Sequence, residues 1–118
     1  MRGINRVTLM GNLGRDPQLK DLPSGDKIAS FPLATTEIWK NKSGEKEEAT
    51  EWHNVVMWKA IAESVEKSEL RKSDTIYLEG RLKTRKFTDK EGNEKKVTEV
   101  VADMFTIIRR YKAAVEAS

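Results

Sequence analysis

Apolar and polar positions alternate along most of this 118-residue chain. Val7, Leu9 and Gly11 alternate with Arg6, Thr8 and Met10, the period of a half-buried strand. Gly11 and Gly14 predict a bend or a close backbone approach at its end. Pro17, Pro23 and Ser24-Gly25 then predict a loop. A second strand is expected over residues 27–39, with Ala29, Phe31 and Leu33 on one face. Pro32 cannot donate to a ladder, so it implies an edge position or a bulge. Residues 40–50 are charged, and Ser43-Gly44 is the expected tip of a long hairpin.

A third strand is expected over residues 51–59. Trp52, Asn54, Val56 and Trp58 share one face, and His53, Val55 and Met57 the other. Residues 60–72 lack Gly and Pro and carry a stripe of Ile61, Ala62, Val65 and Leu70, which predicts a short helix. A fourth strand runs over 75–88, with Ile76, Leu78, Gly80 and Leu82 on one face and Tyr77, Arg81, Lys83, Arg85 and Phe87 on the other. Gly92-Asn93 marks a hairpin turn within 89–94, and residues 97–108 form a fifth, β-branched strand. The expected class is all-β with one short helix. Three strands, a helix and two more strands is the order of an OB-fold, a five-stranded Greek-key barrel whose closure removes most exposed edges.

Composition narrows the chemistry. Charged residues are 35% of the chain, both signs are mixed, and the net charge is only +3, so the placement of charge matters more than its total. Residues 81–96 hold seven cations against Asp89, Glu91 and Glu94, whereas 40–51 hold three lysines against four glutamates. With no cysteine, disulfides and thiolate metal sites are ruled out. Met1 to Asn5 have no apolar signal core and no apolar run approaches the ~20 residues of a membrane span, so a cytoplasmic protein is expected.

The informative pattern is rings interleaved with cations. Trp39, Trp52, Trp58 and Phe87 each neighbour a basic or polar residue, and all three tryptophans fall within 39–58. A base has an apolar face beside a charged backbone, so a single strand needs a flat ring and a cation close together. In a small β domain a tryptophan can equally be core. Here Trp52 and Trp58 lie on the face that lacks Val55 and Met57. Arg81, Lys83, Arg85 and Lys86 fit either a solvated hairpin or a phosphate-tracking groove. His53, the one histidine, sits on the Val55 and Met57 face and suits a packed or interface role better than that of a base. No phosphate loop, dinucleotide fingerprint, metal-ligand spacing or paired carboxylates occur, so no enzyme, cofactor or metal is expected.

Several segments together resemble bacterial-type single-stranded DNA-binding proteins. They are Asn5-Arg6-Val7, Gly11-Asn12-Leu13-Gly14-Arg15-Asp16-Pro17, Leu33-Ala34-Thr35, Thr50-Glu51-Trp52-His53-Asn54-Val55-Val56, Leu70-Arg71-Lys72, Tyr77 through Arg85, and Thr98-Glu99-Val100-Val101. In order, they cover residues 4–108. The resemblance implies an OB-fold over 1–110 and sequence-independent binding of single-stranded DNA in replication, recombination and repair, in a bacterial, nucleoid-associated setting. It implies stacking rings at Trp39, Trp52, Trp58 and Phe87, where the family usually has Phe at the Trp58 position and often Trp at the Phe87 position. It also implies a homotetramer with His53 and Tyr77 at subunit interfaces. Residues 111–118 depart from the family pattern, which continues into a linker and an acidic tip that docks repair and replication enzymes. Arg109, Arg110 and Lys112 against Glu116 carry the opposite sign, so recruitment of such enzymes is placed in doubt. The competing readings are a replication-restart accessory of the same fold acting as a protein adaptor, an OB module supporting an enzyme, and a structural oligomer.

Overall fold

A computed structural model describes residues 1–112; of the expected extension, residues 113–118 lie outside the described residues. The elements are β1 (Val7–Leu13), β2 (Gln18–Asp21), β3 (Lys27–Lys40), β4 (Lys46–Trp58), α1 (Ala60–Ser68), β5 (Thr75–Thr88) and β6 (Glu94–Arg109). The strands pair in the order β1-β5-β6-β4-β3-β2, and β1 also pairs with β3. That last pairing closes β1, β3, β4, β6 and β5 into a five-stranded OB-fold barrel, with β2 added to β3. All pairs are antiparallel except β4 with β6, where Val55 meets Val100 and Val56 meets Val101.

The alternation builds the core. Ala29, Phe31 and Leu33 from β3, Val55 and Met57 from β4, and Ile76 and Leu78 from β5 are buried together with Leu13, Val100 and Ala102. Burying a side chain such as Phe31 contributes roughly 1.5–3 kcal/mol. The helix lies against β3 and β4 and seals the barrel with Ala62 and Val65. It is shorter than the expected 60–72. Glu69 turns left-handed (φ 53°) and Leu70 folds back into the core. Below it, the Arg110 guanidinium donates to the carbonyls of Ser68 and Glu69 and pairs with the buried Asp74 carboxylate at 3.0 Å. Asp74 also accepts from the backbone N–H groups of Arg71 and Tyr111. One carboxylate thus ties the helix end to the end of β6.

Pro32 neither lies on an open edge nor forms a bulge. Leu33 pairs with Leu13 of β1, whereas Ser30 pairs with Gln18 of β2, so Pro32 falls at the handover. Its missing N–H costs no ladder bond there, and its carbonyl accepts from Gly14 N–H at 2.9 Å.

Two hairpins outrun the barrel. β3 and β4 stay paired to Lys40 and Lys46, and β5 and β6 to Thr88 and Glu94. Beyond Gly80 every residue of β5 is exposed. Leu82 keeps the inward parity of Leu78 yet is 50% exposed, because no opposing wall covers it. The arm leaves at a bulge on β6, where Asp103 has no partner between Met104, opposite Glu79, and Ala102, opposite Gly80. Gly80 permits this approach, since a Cβ there would lie 2.2 Å from the Val101 carbonyl oxygen.

Candidate nucleic-acid interface

Cross-strand register decides which side chains share a surface. Trp58 is paired with Ile28, and Trp52 with Ala34, on the outward face of the β3–β4 pair. Val56 shares that face and meets Val101 of β6, which in turn meets Arg81 of β5. The outward surface therefore runs from Trp52 and Trp58 across β6 to Arg81, Lys83, Arg85 and Phe87. The rings are available on it: Trp52 is 61% exposed, Trp58 43% and Phe87 41%.

An open groove of about 510 Å³ occupies this surface, with Trp58, Arg81, Lys83, Arg85 and Glu99 among its lining residues. Lys59, Ile61, Val101, Ala102 and Asp103 complete it. Four cations face two carboxylates. One ring and three of the expected cations thus meet in a single groove.

The other expected residues lie elsewhere. Trp39 is paired with Glu47 and has the inward parity of Phe31 and Leu33, so it projects from the opposite face of the arm to Trp52 and Trp58. Glu37 shares that face. Trp39 is still 46% exposed, because the arm has left the barrel. Its parity was readable from the sequence, since 39 is an even number of steps from Phe31. Lys86 also faces away from Arg81, Lys83 and Arg85, and lies directly across from Lys96.

Electrostatic pairing separates the cations further. The Glu99 carboxylate accepts from Arg85 Nε at 3.0 Å and from Nη2 at 3.2 Å. Among the described residues, Arg81, Lys83 and Lys86 make no salt bridge. Glu99 lies in the matched segment Thr98-Glu99-Val100-Val101 but is not among the expected site residues. Folding the hairpin about Glu91 pairs it with Lys83, which is the signal that would have found it.

His53 and Tyr77 sit on different surfaces. His53 points inward from β4, and its Nε2 lies 2.9 Å from the Thr35 hydroxyl. Tyr77 points outward from β5, across from the exposed Met10. Its hydroxyl donates to Glu79, which also meets Arg6 at 3.3 Å. The hydrogen bond to the Glu79 carboxylate raises the phenol above its ordinary pKa.

The sequence profile of the single-strand binding protein family matches residues 4–108. The chain belongs to that family. Among solved structures it is similar to the Plasmodium falciparum SSB in complex with ssDNA, at 32% identity and a TM-score of 0.77, covering 94% of this chain and 98% of that one. It is also similar to a deletion mutant of the single-stranded DNA binding protein from Thermus aquaticus, at 30% identity and a TM-score of 0.77. That match covers 92% of this chain and 52% of the Thermus aquaticus chain, so the present sequence spans about half of it. No helix among the described residues is long and apolar enough to cross a membrane.

Proposed function

We propose that this member of the single-strand binding protein family binds single-stranded DNA without sequence preference and protects it during replication, recombination and repair, with no catalytic step. The observation that carries this reading is the open groove in which Trp58 meets Arg81, Lys83 and Arg85. The relative solved with ssDNA, which aligns over nearly its whole length, supports it.

Bases stack on Trp52, Trp58 and Phe87, each worth roughly 1–3 kcal/mol whatever the base. Phosphates follow Arg81 and Lys83, and Lys86 with Lys96 extends the basic track around the far side of the arm. Trp39 is reached where the strand wraps the β3–β4 arm. The chain assembles with copies of itself as a homotetramer. The Tyr77 and Met10 surface and the His53 surface, facing different ways, serve two distinct contacts.

Fluorescence anisotropy of labelled oligo(dT), a mixed-sequence oligonucleotide and a duplex tests the reading. Comparable affinity for the two single strands, and far weaker duplex binding, is the expected outcome. Equal affinity for duplex would overturn it.

A further inference from the structure

Glu99 is one of two acids in a groove lined by four cations. Its side chain is only 14% exposed, and both carboxylate oxygens are engaged by the Arg85 fork. Such bidentate pairs are geometrically fixed as well as strong. If a phosphate displaced Glu99 from Arg85, it would leave a poorly hydrated carboxylate unpaired beside a second anion. Meanwhile the guanidinium lies 5.8 Å from the centroid of the Phe87 ring, two residues along the same face of β5. Lys83 lies directly across from Glu99 but is left without a salt bridge among the described residues.

Resting on the single-strand-binding reading above, we infer that Arg85 is a positioning residue rather than a phosphate ligand: Glu99 cancels its charge and holds it beside Phe87, and Arg81 and Lys83 are phosphate cations of the groove. Glu99 thereby sets both the orientation of one stacking ring and the number of phosphates the groove neutralises. An arginine whose charge is already cancelled releases no additional counterion when DNA arrives. The salt dependence of binding therefore distinguishes it from its neighbours.

The test is the log–log slope of oligo(dT) affinity against salt, measured on the folded chain and its variants. Arg81→Gln and Lys83→Gln should each flatten the slope by about 0.7, the value for one phosphate of a single strand. The charge-balanced double variant Arg85→Gln/Glu99→Gln should leave the slope unchanged and weaken binding several-fold, with no further loss when added to Phe87→Ala. Glu99→Gln alone, which frees Arg85, should steepen the slope by about 0.7 and tighten binding at low salt. If the double variant flattens the slope as Arg81→Gln does, Arg85 is a phosphate ligand and this inference fails alone. Failure of the wild-type chain to bind oligo(dT) would overturn the groove reading and this inference with it.

Discussion

The indole of Trp52 fills the space that a side chain at Gly14 would need. A Cβ built on Gly14 would lie 2.5 Å from Cζ3 and 2.9 Å from Cη2 of the ring, and 3.2 Å from Cγ of Pro32. The bend after β1 therefore seats an exposed ring from β4. Gly14→Ala should push the indole from its seat. The expected result is a several-fold loss of ssDNA affinity with the thermal midpoint nearly unchanged, because Trp52 is mostly outside the core. A large fall in the midpoint with unaltered affinity would assign Gly14 to folding instead.

The three tryptophans should not contribute equally. Trp52→Ala and Trp58→Ala should each weaken oligo(dT) binding by roughly 1–3 kcal/mol, about 5- to 150-fold. Trp39→Ala should cost less than either, since Glu47 lies directly across from it and Glu37 shares its face. Anisotropy titrations of the three single variants give the ranking, and a dominant Trp39 would reverse the assignment of faces.

Asp74 is the buried carboxylate of the described residues, and its substitution should act on stability rather than on binding. Asp74→Ala strands the N–H groups of Arg71 and Tyr111 and frees Arg110 from its pair. The expected cost is on the order of 2–4 kcal/mol in urea unfolding. At a temperature where the variant stays folded, its ssDNA affinity should match that of the wild type.

Tyr77 should titrate late. Its phenol is raised above the ordinary value of 10.0 because its hydroxyl donates to Glu79. A raised folded pKa means the bond contributes to stability below the unfolded value and is lost as pH rises through the folded one. The window is therefore alkaline, and neutral pH leaves the bond intact. Ultraviolet absorbance of the phenolate should show its midpoint falling in Glu79→Gln; an unmoved midpoint would mean that the bond does not form in solution.

Much of this fold was legible because alternation and burial coincide. The inward parities of Phe31, Leu33, Val55, Met57, Ile76 and Leu78 were all readable from the sequence, as was a helix between the third and fourth strands. What escaped depends on register or on where the barrel ends. β2 is four exposed residues, Gln18–Asp21, held to β3 by backbone pairing, so it leaves no apolar alternation to read. Leu82 follows the inward pattern, but its opposing wall stops short. Trp39, Trp52 and Trp58 are close in sequence, but strand alternation alone, counted from Phe31 and from Val55, separates Trp39 from the other two. Glu99 meets Arg85 only once the β5–β6 hairpin is folded.

The claim that single-stranded DNA lies on the tryptophan-bearing outward face is tested most directly by intrinsic tryptophan fluorescence during titration with oligo(dT). Trp52 and Trp58 are exposed on that face, so bases stacked on them should quench the emission strongly and saturably. Raising the salt concentration should reverse the quenching as phosphate contacts weaken. Duplex of the same length should quench little, and Trp52→Ala/Trp58→Ala should lose most of the signal change. Saturable oligo(dT) binding with no change in tryptophan emission would contradict the claim.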